Sequence, residues 1–355
     1  MVKPLTIAVT GLNATDSPAP GVPVIRAIRA GADTPVRIIG LAYDPLDPGN
    51  YMADIADRVF LMPYPSQGAE VMAERLAYIH AQEPIDVLLP TLDSELPPLL
   101  KLGGELKRMG IKSFLPREDD LKLRSKAKFY DLKTKLGIEV PKSLAISDAS
   151  AIRKLDDDFK FPVMVKGQFY DAYIAYSPME VEGHFQRIRA KWGLPVVIQE
   201  FIPGEEFDVV ALGDGEGGLV GAVPMRKMQL TDKGKAWGGI TISDPALSTF
   251  VAEAMAKLKW RGPCEMEVMK SQRDGAFYLL EINPRFPAWV YLSVGAGRNL
   301  PWAAVRLARG DKVEPMPPAD PGVMFLRYSF DQICTLADYE ALTTKGELQR
   351  HGEQP

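Results

Sequence analysis

The segment Gly262–Phe286, GPCEMEVMKSQRDGAFYLLEINPRF, constrains this chain more than any other stretch. Two apolar-rich runs, Cys264–Lys270 and Phe277–Asn283, flank Asp274-Gly275, and an Asp-Gly pair between such runs predicts a β-hairpin. Folding about Asp274 sets Glu267 opposite Glu281, or one diagonal from it. Side chains alternate along a strand, so Glu265 and Glu267 share a face, as do Glu281 and Asn283. Like charges across a strand pair are destabilising unless something lies between them. Two carboxylates and an amide oxygen on one patch suit a hard divalent cation; Mg2+ is often held by one or two carboxylates, with phosphate oxygens and water completing its shell. The competing reading of the local pattern is an exposed hairpin whose acids face water.

The rest of the chain sets bounds on that site. At 355 residues there is room for two or three subdomains with a sizeable core. The formal net charge of −4 leaves no basic footprint, which argues against nucleic acid as a partner. Cys264 and Cys334 are too few for a disulfide framework or a cysteine-based zinc site and read as thiols in a reducing cytoplasm. The opening run MVKPLTIAVTGLNA reads as a core strand rather than a targeting segment, and no stretch is long and apolar enough to suggest a membrane partner. His80, His184 and His351 are too scattered to form a ligand cluster.

Residues 1–120 alternate short apolar runs (Leu5–Thr10, Val36–Leu41, Arg58–Met62, Ile85–Pro90) with helical patterns at about 21–30, 68–81 and 94–109, the rhythm of a parallel sheet with crossover helices. Gly11 follows the first strand, but the loop to Gly21 is not GxGxxG and holds two prolines, so a nicotinamide site is rejected. The loop still lies at the carboxyl edge of the sheet, as does Asp93-Ser94-Glu95, which either caps the following helix or touches substrate. A lysine-rich helix spans 124–136 and ends at Gly137. A helix near 149–156, strands at 161–165 and 171–176, a helix at 179–192 and a strand at 195–201 follow. Two strands fill 207–228, residues 229–243 read as a mobile loop, and a helix at 245–259 leads into the hairpin. Helices at 288–296 and 300–309, a strand at 322–330 and a frayed end from 345 complete the pattern.

These separated segments resemble the ATP-grasp superfamily, within it the carbamoyl-phosphate-synthase-like and D-alanine-D-alanine-ligase-like carboxylate–amine ligases. The resemblance rests first on Glu281-Ile-Asn-Pro-Arg285 at a strand end with Glu267 on the neighbouring strand. It implies an α/β and α+β architecture: a Rossmann-like pre-ATP-grasp domain (1–120), a small lid subdomain with its linking helix (121–197), a large ATP-binding subdomain carrying the metal site (198–315), and a C-terminal strand and tail (316–355). It also implies ATP with Mg2+ or Mn2+ as cofactors. Glu267, Glu281 and Asn283 are then the metal ligands, and Arg285 stands beside the acceptor or the transferred phosphoryl group. Lys126 and Lys166 reach the ATP phosphates; Lys166 closes the apolar strand Pro162–Val165, where a cation needs an anionic partner. Gln199, Glu200, Phe201 and Ile202 form the adenine hinge, and Glu206 accepts from the ribose. Arg226, Lys227 and Lys235 supply further cations near the phosphates or substrate, and Asp93 and Glu95 join Arg285 at the substrate.

Two departures from the family stand out. The loop after Lys166 carries three aromatics and Asp171 in place of a glycine- and serine-rich phosphate cover. Glu265 is an acid where some relatives carry an amide. The implied activity is ATP-dependent ligation of a small-molecule carboxylate and an amine (amino acid or peptide) through an acylphosphate, with a homodimer as the default assembly. The alternative is a degenerate ATP-binding scaffold or sensor without turnover.

Overall fold

The computed structural model describes residues 3–125, 129–155, 159–167, 171–231, 234 and 236–349. Lys126, Lys235 and the middle of the aromatic loop, 168–170, therefore lie outside the described residues, as does the end from 350.

The first sheet is built from the apolar runs at the start of the chain. Strands β1 (Leu5–Thr10), β2 (Val36–Ala42), β3 (Arg58–Leu61) and β4 (Val87–Leu89) run parallel in the order β3-β2-β1-β4. Their side chains are buried on both faces, as a parallel sheet covered by helices requires. Helices Gly21–Gly31 and Ala69–Gln82 fall where the 3.6-residue pattern puts them. The pattern at 94–109 divides instead into a 3-10 turn, Asp93–Glu95, and two short helices, Leu96–Lys101 and Gly103–Met109, which meet at Leu102.

A four-stranded sheet forms the small lid, in the order β5 (Ser143–Ile146), β8 (Val196–Glu200), β6 (Val163–Lys166), β7 (Ala172–Ala175). Val163, Val165, Val196 and Ile198 pack on helix Pro178–Trp192 through Val181, Phe185 and Ile188. Strand alternation then sends Met164, Lys166, Val197 and Gln199 to the opposite face.

The large sheet runs β13 (Phe277–Asn283), β12 (Arg261–Ser271), β9 (Gly204–Asp214), β10 (Leu219–Leu230), β11 (Ala236–Thr241), β14 (Met324–Leu326). One face (Val209, Ala211, Cys264, Met266, Val268) packs on helix Pro245–Leu258. Glu206, Asp208, Glu265 and Glu267 necessarily occupy the other.

Two expectations fail here. The predicted loop at 229–243 contains β11, paired with both β10 and β14. Its Gly238 and Gly239 misled the reading, yet a Cβ at Gly239 would lie 2.5 Å from Met225 Sδ and 2.8 Å from Phe325, so the strand has glycine there to admit those side chains. The end from 345 is not frayed throughout: helix Leu336–Lys345 is followed by β15 (Glu347–Gln349), which adds antiparallel to β3.

Residues after the hairpin pack on the first domain. Phe286, Val290, Leu300 and Ala304 join one core with Ile7, Val24 and Ile28, and the Asn299 side-chain amide donates to Ala27 O at 2.6 Å.

Candidate active site

The hairpin forms as its turn chemistry dictates. Asp274 accepts from the Ala276 amide at 3.0 Å, and Gly275 adopts φ 73°, the left-handed region such a turn needs. The register pairs Glu265 with Asn283 and Glu267 directly with Glu281, and a shift between Glu267 and Val268 brings Val268 opposite Leu279. On its other side Glu267 pairs with Asp208 of β9, and Met269 with Glu206. From β10, Lys227 reaches Glu206 at 2.6 Å and Asp208 at 3.1 Å. The centre of the sheet thus presents a row of acids with the Lys227 ammonium inside it.

The electrostatics of this row are strained. Burial, then the facing Glu281, push the Glu267 carboxyl up to about 7, with Lys227 opposing. Burial likewise drives Asp208 well above the carboxylate range against the pull of Lys227, and its Oδ1 is buried without a hydrogen-bond partner. Burial alone would lower the Lys227 ammonium, but Asp208, Glu267 and Glu206 raise it. Among the described residues no group of three or more His, Cys, Asp or Glu forms a ready-made metal cage. The donors fit Mg2+ in the other way open to it. Two opposed carboxylates stand beside Asn283, whose Nδ2 donates to Glu265 at 3.3 Å and to Glu267 at 3.5 Å; the carboxylate oxygens, with the amide oxygen once the amide is turned, suit one edge of a cation whose remaining positions fall to phosphate and water.

Arg285, just beyond the hairpin, is held by two carboxylates. Its Nη1 donates to Glu265 Oε2 at 2.8 Å, and its Nε lies 3.3 Å from Asp93 Oδ1. Glu265 is buried and also accepts from the Trp289 indole at 2.7 Å, so this acid orients the arginine. Asp93 is bound in turn by Arg124 at 3.1 Å. Burial would lower the Arg285 guanidinium, but Glu265 and Asp93 raise it. The carboxyl edge of the first sheet and the hairpin end therefore meet at one ion-pair chain.

Glu95 requires correction. It is fully buried rather than at the substrate, and its Oε2 accepts from Thr10 Oγ1 at 2.7 Å, Leu92 N at 3.1 Å and Thr91 N at 3.2 Å. It shapes the loop that carries Asp93. Burial raises its carboxyl to about 7, partly offset by the Tyr43 hydroxyl and then by those donors. A folded-state pKa above the unfolded one means that the native protein holds the extra proton, so this contribution is full below about pH 4.5 and is lost as pH rises to about 7. Glu95→Gln keeps an acceptor oxygen and removes the ionisation. It is expected to match the parent at pH 4 and to exceed it by about 3 kcal/mol at pH 8 in urea denaturation. Equal stabilities at pH 8 would refute this role.

The remaining candidates divide between two faces of the lid sheet and of β10. Lys166 and Gln199 share the face away from the lid core, with Gln199 Nε2 donating to Ser143 Oγ at 3.1 Å. Glu200 points to the other face, where it pairs with Arg273 at 2.8 Å beside a cavity of about 500 Å³ lined by Phe201, Phe161 and Lys142. Its side chain is thus not with Lys166 and Gln199. Ile202 is buried just beyond β8. Arg226 alternates with Lys227, lies half-exposed and pairs with Glu205 at 3.3 Å, on the face away from the acidic row. Asp171 accepts from Trp192 at 2.7 Å and Lys191 at 3.0 Å, which turns it onto the lid helix, and these two partners lower its carboxyl. Asp208 and Trp289 were not found from sequence. The Glu206-Phe-Asp208 alternation next to a strand start was the available signal for the first.

Residues 194–328 match the family model described as ATP-grasp in the biosynthetic pathway with Ter operon. The chain is 27% identical over 247 residues to the chloroplastic phosphoribosylamine–glycine ligase of Arabidopsis thaliana, covering 61% of this chain and 46% of that one. It is 25% identical over 272 residues to the carbamoyl phosphate synthase large chain of Gemmatimonas aurantiaca, covering 73% and 24%. The chain thus spans less than half the length of these two relatives. Among solved structures, the biotin carboxylase domain of Hydrogenobacter thermophilus 2-oxoglutarate carboxylase, in complex with MgADP, ADP and bicarbonate, aligns at TM-score 0.67 and 15% identity over 86% of this chain and 70% of that one. The L-amino acid ligase of Bacillus licheniformis aligns at TM-score 0.65 and 15% identity over 87% and 75%. Among the described residues no helix is long and apolar enough to cross a membrane. The family match spans the large sheet and the Glu-x-Asn-x-Arg hairpin, and the fold of the whole chain is similar to that of these solved structures.

Proposed function

We propose that the chain is an ATP-dependent carboxylate–amine ligase acting in the cytoplasm, forming an amide through an acylphosphate. The observation that carries this reading is the direct opposition of Glu267 and Glu281 next to Asn283, with Arg285 a short step along the same strand end and tied to Asp93 of the first domain. A nucleotide-binding scaffold has no use for an acidic row poised against an arginine at a domain junction. The relatives named as glycine and amino acid ligases support a small carboxylate and an amine as substrates.

In this reading Glu267, Glu281 and Asn283 hold Mg2+ (or Mn2+), which when bound supplies charge neutralisation at the β- and γ-phosphates. Lys166 and Lys126 bind phosphate oxygens, and Gln199, with backbone at Phe201 and Ile202, receives the adenine edge. Glu206 is freed from Lys227 to accept from the ribose. Arg285 orients the substrate carboxylate, whose oxygen attacks the γ-phosphorus in line and releases ADP. The amine then attacks the acyl carbon and displaces phosphate. Such transfer needs positioning and electrostatics rather than a protein nucleophile.

The test is incubation with ATP, Mg2+ and pooled amino acids, followed by ADP release and by mass spectrometry for amide products. Amino-acid-dependent ADP release with a matching condensation product is the expected result. Tight Mg-ATP binding with no ADP release across the panel would count against the ligase reading.

A further inference from the structure

The face of the large sheet that carries the acidic row continues past Lys227, across β11 and onto β14. Gly239 pairs with Lys227 of β10 on one side and with Phe325 of β14 on the other, and partners in a ladder share a face. Arg327 follows Phe325 at the next position of the same parity and so lies on that face too. Its amide donates to Trp237 O at 2.9 Å, which carries the pairing just past the end of β14. Its guanidinium carbon stands 5.6 Å from the centre of the Phe325 ring. That ring leans over Gly239, where a Cβ would lie 2.8 Å from its Cε1. Phe325 packs in turn on the cluster that contains Phe286 and Trp289, and Trp289 holds Glu265.

The cations of this face are matched by acids except at Arg327. Arg285 has Glu265 and Asp93, and Lys227 has Glu206 and Asp208. Arg327 is half-buried as they are, yet among the described residues no carboxylate stands within ion-pair distance of it. Its Nη1 donates to Ala236 O at 2.8 Å, a neutral acceptor that leaves the charge uncompensated. Burial lowers this guanidinium from its ordinary value, and the more distant charge of Glu265 opposes the effect. A cation withdrawn from water without a counter-ion is costly, and an anion brought from outside the chain removes that cost. The planar fork of an arginine fits the paired oxygens of a carboxylate or a phosphate.

We propose that Arg327 receives a second anionic group of the carboxylate substrate, a carboxylate or phosphate additional to the carboxylate that is activated. The inference rests on the ligase reading, in which Arg285 orients the reacting group. Glu265 acts on both guanidiniums, against burial at each, so the two arginines surround one acid and face one small molecule. They differ in a way that selects substrates. Arg285 is neutralised before anything binds, whereas Arg327 is not. A monoanionic substrate leaves a desolvated charge unpaired, and a dianionic one does not. A site built around such a group rejects the analogue that lacks it.

The probes are matched pairs that differ in one anionic group: succinate and succinamate, glutarate and glutaramate, 3-phosphoglycerate and glycerate. Each is titrated calorimetrically into the full chain with Mg-ADP present, and each is assayed for ADP release with ATP, Mg2+ and pooled amino acids. The expected result is that at least one richer anion binds about 10- to 100-fold more tightly than its counterpart. In Arg327→Met that ratio falls to about one, and Arg327→Lys keeps part of it. Thermal melting of Arg327→Met should equal or exceed that of the parent, because an uncompensated charge has gone. Preference confined to the dicarboxylates identifies a second carboxylate, and preference confined to 3-phosphoglycerate identifies a phosphate. No preference in any pair, or a preference that survives Arg327→Met, would overturn the proposal, as would ADP release driven by the poorer anions alone. Discrimination that depends on Arg327 without ADP release from any probe would uphold the anion site and count against the ligase reading instead.

Discussion

Glu281→Gln is expected to lower Mg2+-dependent ADP release by roughly 10²–10³-fold, the usual cost of removing one preorganised charge from a reacting phosphoryl site. The fold should survive. Glu281 is half-buried near the end of an edge strand, and its replacement by the isosteric amide relieves a repulsion with the directly opposed Glu267. Thermal melting should therefore stay within a few degrees of the parent or rise. The nucleotide offers a second measurement: affinity for ATP should become less dependent on Mg2+ concentration. Turnover near the parent's rate would show that Glu281 holds no metal, and the proposed constellation would then fail at its centre.

Lys227→Met is expected to cost about 3–5 kcal/mol of stability, because it leaves a buried carboxylate without its cation. The Lys227 side chain is 17% exposed and that of Asp208 only 2%, so water cannot take over the missing partner. Glu206 loses its 2.6 Å contact as well, but is exposed enough to be solvated. Adding Asp208→Asn to Lys227→Met should restore most of the loss by removing the stranded charge. Urea denaturation of the single and double variants measures both numbers. A loss below about 1 kcal/mol, or a double variant no better than the single one, would show that Lys227 does not neutralise Asp208 in the folded state.

Much of the hairpin was legible because its determinants are local. Asp274-Gly275 fixes the turn, and counting outward brings Glu267 to Glu281 with an ambiguity of one position, which the shift beside Val268 resolves. Arg285 was legible through its spacing from Glu281. What escaped were partners set by long-range register. Nothing near Asp208 in sequence announces that Lys227, from the far side of a glycine-rich turn, closes on it, or that Trp289 anchors Glu265. Glu95 was misjudged because an acid in a first helical turn is ordinarily at the surface, and only the approach of Thr10 from another strand buries it. The glycines of β11 read as a loop because their reason, the crowding by Met225 and Phe325, lies in other strands.

The return of β15 to β3 bears on the order in which the chain assembles. The first sheet receives its outer strand, and Arg58 its bond to Glu347 at 2.7 Å, from a segment 289 residues further on. During synthesis the four parallel strands must wait for the lid and the large sheet to be made before their flank is covered. Until then β3 is an open template for stray pairing. The last helix and strand thus act as a late clasp, and truncating them should show first as aggregation of the nascent protein.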